Sequence, residues 1–386
     1  MQKLAYKQIA QFLNLSTREV IGEEATIVNE DLSNIVDFGV AVANMGKTTP
    51  LLDDFVGRIA RVIFYDRTYG IRTDLGIYRD NIEYGLTVQR MSIDELPVAE
   101  DNKTWGLEDG QSVDPFVVKL PKAKARYYEK RNTAEIDMTI LEKQYKSAFT
   151  SAENLSRFVG MIFNAVDNSK AIKVNNLIKA VLRAAMSANI QANKNVKLIT
   201  LYNTAMGYTS GGTGYIDPAT PELALYDREF LRFASMIIND YTRAITEMSV
   251  LYNIEGVPRF TPTDSRHLVV LGKFSDACQY YLEADTYHNN LVSMPGYATM
   301  DSWQNTPSRD FDKLSEIDVT NDNGDVVKQG AIVAALYDGD GLAVTVDNPR
   351  VNSMWNGKGE YTNYFWKFDW ASAFFKDMNF ITFTLN

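Results

Sequence analysis

Residues able to do covalent or metal chemistry are present in this 386-residue chain, but their spacing does not support it. Gly207 and Gly212 stand at the separation of a phosphate-binding loop, yet the next residue is Thr213, where that motif needs the lysine that reaches the phosphates. Asp338-Gly339-Asp340-Gly341 opens like a calcium loop. Its sixth position falls on Ala343 and its twelfth on Pro349, where the sharp turn needs Gly and the bidentate ligand is Glu, so a β-turn is the better reading. His267 and His288 have no histidine or carboxylate at ligand spacing and are read as structural or surface residues. Cys278, the single cysteine, excludes an internal disulfide and any multi-cysteine zinc site; nothing local marks it as an activated nucleophile, and it is read as a buried small hydrophobe. Forty-nine acidic residues always offer carboxylate pairs, and the sequence gives no reason to choose one as the acid and base of glycoside hydrolysis. No catalytic residue, cofactor site or metal site is expected, and the chain is not expected to be an enzyme.

The one constellation with a clear physical meaning is electrostatic. From Asp94 to Asp114 the chain carries Asp94, Glu95, Glu100, Asp101, Glu108, Asp109 and Asp114 against only Lys103. After Pro115 comes the opposite sign: Lys119, Lys122, Lys124, Arg126, Lys130 and Arg131. One reading is that both runs solvate a sheet edge. The other is that the acidic stretch of one copy meets the basic stretch of another, fixing register and specificity more than affinity. On that second reading Asp94, Glu95, Glu100, Asp101, Glu108, Asp109, Lys119, Lys122, Lys124, Arg126, Lys130 and Arg131 are the candidate intersubunit contacts.

The elements around them follow from pattern. Val62 to Tyr65, short stretches through Tyr78, and Tyr84 to Ile93 read as β-strands, and after the basic run Ile136, Met138 and Ile140 alternate on one strand face. Two long strands joined by a long acidic loop make a two-stranded ribbon, which is marginal in water unless something covers it. A neighbouring subunit is the expected cover. Residues 1 to about 58 look like an extended or partly helical arm with little core of its own, in which Asp31-Leu32-Ser33-Asn34 caps a short helix through Met45.

Beyond the ribbon, Ser151-Ala152-Glu153 starts the strongest helical pattern, with Leu155, Phe158, Val159, Ile162, Phe163 and Val166 at helical spacing. It pauses at Asp167 to Ser169 and resumes at Val174 through Met186, predicting a long helix broken at most once. Lys197 to Tyr202 reads as a strand, Gly207 to Gly214 as a flexible loop, and Tyr226 to Tyr252 as a second long helix. A strand at His267 to Leu271 then feeds a helix at Ser275 to Ala284, so residues 195–330 read as an α/β unit. Asn323-Gly324 is a hairpin turn between Glu316–Thr320 and Val326–Val333. The chain returns to β at Ala331–Tyr337, Gly341–Val346 and Tyr361–Phe383, with Asn379 to Leu385 alternating as a strand expected to dock on the first unit.

Composition agrees with a large folded body. The length exceeds the roughly 250–300 residues at which one core stops growing, so two or more packed units are expected. Hydrophobic residues are 45% and charged residues 23%, and 21 Tyr, 19 Phe and 5 Trp supply side chains suited to partner interfaces. A net charge of −10 disfavours tight nucleic-acid binding by the whole surface. No secretory signal is read at Met1 to Lys7, and the longest apolar runs, Phe38–Ala43 and Ala331–Tyr337, are far short of the ~18 residues of a bilayer span, so an intracellular product is expected.

This order of parts, an arm, a β-ribbon with a long loop, a long helix, an inserted α/β unit and a returning sheet, resembles the Johnson fold of tailed-phage major capsid proteins, also called the Hong Kong phage fold. The stretch from Asp276 to His288, followed by Pro295-Gly296-Tyr297, looks like capsid proteins of phages of Gram-positive hosts. The resemblance implies an α+β fold with an N-terminal arm (1–58), strands leading into a P-domain (59–81), an E-loop ribbon (82–140), a P-domain spine helix (141–194), an A-domain (195–330) and closing P-domain strands (331–386). It implies a structural subunit that self-assembles through pentamers and hexamers into an icosahedral head, is assembled in the host cytoplasm and resides in the virion. Its partners would be itself, a separate scaffolding protein, a portal and possible decoration proteins, with double-stranded DNA enclosed without specific binding. Gly85, Pro97 and Pro115 are the expected hinges of the ribbon. Family members that crosslink themselves use a Lys and an Asn, and neither can be placed here. Two alternatives stay open: a carbohydrate-binding or hydrolytic phage or cell-wall protein using Trp355, Trp366 and Trp370 as a sugar platform, and another phage structural subunit such as a tail or portal component.

Overall fold

The computed structural model describes residues 5–22, 27–45, 50–51, 54–56, 58, 71–79, 88–93, 105–114, 116, 118, 123–128, 132–283, 296–304, 316–320 and 326–386. The fold is α+β. In chain order its helices and strands are α1 (Tyr6–Val20), α2 (Ile35–Asn44), β1 (Tyr78–Arg79), β2 (Val88–Ile93), β3 (Ala123–Tyr128), β4 (Asn132–Leu141), α3 (Glu142–Ala148), α4 (Ala152–Gln191), β5 (Val196–Lys197) and α5 (Leu198–Met206). There follow α6 (Arg228–Ala244), β6 (Arg266–Leu271), α7 (Gly272–Cys278), β7 (Ala298–Met300), β8 (Ile317–Thr320), β9 (Val326–Gln329), β10 (Ile332–Asp338), β11 (Leu342–Asn356), β12 (Tyr361–Phe374) and β13 (Phe380–Thr384).

The long helix α4 organises the rest. Ser151 caps it, its side chain accepting from the Asn154 amide at 3.1 Å. It then runs 40 residues without a break, straight through the pause in the pattern at Asp167–Ser169. The pause in the apolar pattern has another cause. Leu155, Val159, Ile162 and Val166 are buried in one core, and Val174, Ile178, Leu182 and Met186 in a second. The polar turn spans the gap between the two cores, so Asn168 and Ser169 are exposed while the helix continues through them. A hydrophobic pattern reports what a face packs against, and here the face changes partners midway.

The first core lies beside a four-stranded sheet of order β1-β11-β12-β4. The alternation expected for Ile136, Met138 and Ile140 holds: these side chains sit inward while Glu135, Asp137 and Thr139 are exposed. Tyr364 and Trp366 of β12 are fully buried in that core. The N-terminal arm covers it. Ile9, Leu13, Leu32, Ile35, Phe38, Val42, Leu51, Phe55 and Val56 are all buried there, so the arm is more helical and far better packed than its sequence suggests. It lacks a core of its own because its apolar stripes complete one built by α3, α4, β4 and β12. Asn14 clips the arm together, donating to the Val28 carbonyl at 2.9 Å and accepting from the Val28 amide at 2.7 Å. Asn34 precedes α2, but its side chain serves the preceding loop and does not cap, accepting from Asn29 N and donating to Ile27 O.

The second core lies beside a five-stranded sheet of order β5-β13-β10-β6-β7. Every residue of β10 and β13 is buried, as expected of central strands covered on both faces. This corrects the destination of the last strand: β13 pairs with β10 and β5, so it joins the sheet of the α/β unit and not the first unit. Residues 331–386 therefore divide between two sheets, β10 and β13 in one and β11 and β12 in the other.

Two further expectations change. Lys197–Tyr202 is not a strand; after two strand residues the chain turns into α5, where Leu198, Ile199, Tyr202 and Asn203 are buried at helical spacing. β-Branched composition yields to tertiary burial there. The helix expected over Tyr226–Tyr252 is shorter, Arg228–Ala244, capped by the Asp227 carboxylate on the Phe230 amide at 2.8 Å. It ends because Ile245 turns into the core, and Ser249 then bridges Arg259, leaving Met248 and Leu251 exposed. The hairpin expected around Asn323-Gly324 has the right arms, β8 and β9, with Thr320 opposite Val326. Its second strand stops at Gln329, and Ala331, at φ 57°, separates it from β10. The strand expected at Val62–Tyr65 lies outside the described residues.

Candidate self-assembly surface

A two-stranded ribbon is present but shorter than the span 82–140 expected for it, because the alternating stretch Ile136–Ile140 belongs to β4 in the four-stranded sheet. β2 and β3 pair antiparallel, Val88 opposite Tyr128 and Ile93 opposite Ala123, and form a sheet of their own, bonded to no other described strand. Lys124 stands at the register position opposite Ser92, and Arg126 opposite Arg90. Glu108 and Asp109 lie in the connecting loop, both exposed, on a turn closed by Gln111 N to Glu108 O at 3.0 Å. Gly106 and Gly110 take φ 87° and 90° on either side, a backbone region that side chains disfavour. Asp94, Glu95, Glu100, Asp101, Lys119, Lys122, Lys130 and Arg131 lie outside the described residues, as do Gly85, Pro97 and Pro115.

The described loop is apolar as well as acidic, which charge counting missed. Trp105 is 87% exposed and Phe116 85%, with Val118 and Leu107 also open to solvent. The signal was present in the residue types, but the run of carboxylates masked it.

At its root the ribbon meets a firm anchor. β4 follows β3 after a short connection and pairs along its whole length with β12. There Asp369, nearly fully buried, accepts from Thr133 at 2.7 Å, Arg350 at 2.9 Å and Asn348 at 2.9 Å. One carboxylate thereby ties β4, β12 and the irregularity in β11 between Asp347 and Arg350. Burial pushes its pKa up, but the hydrogen bonds from Arg350, Thr133 and Asn348 outweigh burial and hold it at about 2. No sequence motif announces this clamp, because its three donors come from two other strands.

Of the residues weighed for catalysis, Cys278 and His267 sit in packed surroundings. Cys278 is buried, 3.8 Å from the Ser235 hydroxyl, and burial pushes its thiol up to about 11, the reverse of an activated nucleophile. His267 is wedged between Gly76 and Gly339, where a Cβ on either glycine would come within 3.0 Å of its ring, and it stacks on Tyr337 at 5.8 Å. Burial lowers its pKa, with Asp338 opposing. His288 lies outside the described residues. The Asp338–Gly341 segment is a turn in which Asp338 accepts from the Asp340 amide at 2.8 Å. Among the described residues no cluster of three His, Cys, Asp or Glu could hold a metal ion. The three tryptophans of the sugar-platform alternative do not share a surface role: Trp366 is fully buried, Trp370 is half-buried under the Lys173 ammonium at 5.3 Å, and Trp355 alone is exposed.

With that geometry, comparison with known proteins is decisive at the family level. Residues 13–384 match the model of the Phi29-like phage major capsid protein family. The chain belongs to that family. This major capsid protein is a structural subunit of a phage head, one of many copies that self-assemble into the shell, and its place is the virion. No curated protein matches its sequence. Among solved structures it is similar to a chain in the capsid structure of Staphylococcus phage Andhra, at TM-score 0.49 and 10% identity, over 83% of this chain and 87% of that one. It is also similar to a chain of Microbacterium phage Oxtober96, at TM-score 0.44 and 11% identity, over 82% of this chain and 92% of that one.

Proposed function

We propose that this major capsid protein closes an icosahedral head through pentamers and hexamers, and that its ribbon is the arm by which neighbouring copies hold one another. The observation that carries the reading is the ribbon itself: a two-stranded sheet bonded to no other described strand, rooted in a well-anchored strand and tipped by an exposed loop. Such a ribbon is marginal alone and becomes stable when another surface covers it. Each contact need supply little, because a closed shell multiplies it over many copies. The acidic stretch, Glu108 and Asp109 within it, meets the basic stretch of a neighbour, Lys124 and Arg126 within it, and sets register.

A separate scaffolding protein, a portal and decoration proteins complete the particle, which assembles in the host cytoplasm. Among the described residues no helix is long and apolar enough to cross a membrane. Double-stranded DNA is confined without being gripped, in keeping with a net charge of −10. The division into arm (1–58), ribbon (82–140), spine (141–194), α/β unit (195–330) and closing strands (331–386) serves this assembly, with β4 at the end of the ribbon span given to the four-stranded sheet and β10 and β13 contributed back to the α/β unit. Negative-stain electron microscopy of the purified protein, with and without its neighbouring phage genes, tests the reading. Closed shells, pentamers or hexamers support it. A monomer under both conditions overturns it.

A further inference from the structure

Between them, α2 and α3 leave an apolar groove. Val36, Gly39, Val40 and Ala43 form one wall and Tyr145 and Phe149 the other, around a volume of about 240 Å³. Val36 is 47% and Val40 56% exposed, although α2 buries its other face completely, with Ile35, Phe38 and Val42 each under 5% exposed. Two valines held in water at the mouth of an apolar cleft are a surface awaiting cover. An apolar cavity of about 150 Å³ is enough to bind benzene, so this groove has room for one aromatic ring.

The same chain carries a ring in need of such a site. Phe116 is 85% exposed, and its amide is held at 2.9 Å by the Asp114 carboxylate, a local turn that fixes the backbone from which the ring projects. Val118, 77% exposed, follows two residues later. Charge favours the approach. The described loop brings Glu108, Asp109 and Asp114, while α3 beside the groove carries Lys143 and Lys146, both exposed, with Lys146 bonded to Glu142 at 2.8 Å. Asp37 on α2 and Glu142, the partner of Lys146, are the countervailing charges, so the attraction falls to Lys143, which makes no described ion pair.

We propose that Phe116 of one copy seats in the groove between α2 and α3 of a second copy. This rests on the reading of the chain as a multi-copy shell subunit and adds the contact that the acidic and basic stretches do not supply: a buried aromatic anchor, the kind of residue that carries most of an interface's energy. The charges then orient the loop, and the ring holds it.

Cysteine pairing tests this directly, because the native Cys278 is buried and will not compete. Shells formed from the Val40→Cys/Phe116→Cys variant are oxidised and run without reductant. A ladder of disulfide-linked multimers is expected, absent from either single variant; intact shells with no ladder overturn the assignment. A ladder from Val40→Cys/Trp105→Cys with none from the Phe116→Cys pair overturns it too, by giving the groove to the other ring. If the double variant does not assemble, zero-length carbodiimide coupling of unmodified shells decides: an intersubunit amide between Lys143 or Lys146 and Glu108, Asp109 or Asp114 supports the contact, and its absence overturns it. Failure of the unmodified protein to form shells strikes the earlier reading instead, so the two failures are distinguishable.

Discussion

The two halves of α4 lie against cores of different kinds. The second half is held by a sheet whose middle strands, β10 and β13, are buried end to end and whose neighbours come from every part of the C-terminal chain. The first half is held by one face of the four-stranded sheet and by helices that arrive from the N-terminal arm, each of which buries one face and leaves the other to water. The helix is continuous, yet one end belongs to a closed body and the other to an assembled one with apolar surface to spare at Val36 and Val40. A shell subunit needs both: a body that keeps its shape, and a margin from which partners are held.

If that contrast is real, cutting into the two cores must have different consequences. Phe383→Ala removes a ring with no exposure that packs edge-on to Tyr241 at 5.7 Å, between two paired strands. A loss of about 3–5 kcal/mol is expected, much of the stability margin of an ordinary domain, and it should appear as a lowered urea midpoint for the whole chain. Phe38→Ala removes an equally buried ring, 6.0 Å from Phe149, from a helix that closes only one side of its core. The expected cost is nearer 3 kcal/mol, because the arm can readjust. Hydrogen exchange should show amides of α1 and α2 opening while those of β10 and β13 stay protected. Equal loss of protection in α1 and α2 and in β10 and β13 would mean that the two cores are one cooperative unit.

The sequence shows which of these features are local. The alternation of β4, the cap at Ser151, the paired arms β8 and β9 and the strand at His267–Leu271 depend on neighbours in the chain, and each was legible. The ribbon was legible for the same reason, its strands and loop being continuous in sequence. What could not be read depends on distant partners. Asp167–Ser169 looks like a helix break until the gap between two cores is seen. Lys197–Tyr202 has strand composition but is buried on a helical face. The arm looks coreless because its core is completed by β12, more than 300 residues away. Of the candidate contact surface, the charges were visible and the exposure of Trp105 and Phe116 was not, since exposure is a property of the folded loop.

The clamp at the ribbon's root gives the comparison a pH axis. Asp369 has a folded pKa of about 2, below its unfolded value of about 3.9, so the unfolded chain binds more protons and stability rises with pH. The contribution, about 2–3 kcal/mol, is fully present above pH ~4 and is lost as pH falls towards 2. Thermal melts from pH 7 to pH 2 should show the four-stranded sheet weakening over that window. Asp369→Asn should begin less stable at pH 7 and lack that portion of the acid response. An unchanged acid limb in the variant would show that the clamp does not govern the root.

The smallest expected effect on the isolated subunit is the most informative about the ribbon. Glu108 and Asp109 are exposed, and neither makes a described ion pair. Replacing them together, Glu108→Gln with Asp109→Asn, should move subunit stability by no more than about 0.5 kcal/mol, the scale of surface changes away from special features. Assembly is where the change should appear. Long-range steering weakens when charge is removed, so shells should form more slowly at low salt, and the difference should shrink as salt rises and the screening length falls to about 8 Å near physiological ionic strength. A variant that melts like the parent but assembles slowly at low salt places the acidic loop at a contact between copies. One that assembles at the parent's rate at every salt concentration leaves these two charges as solvating groups and puts the burden of recognition on the exposed rings beside them.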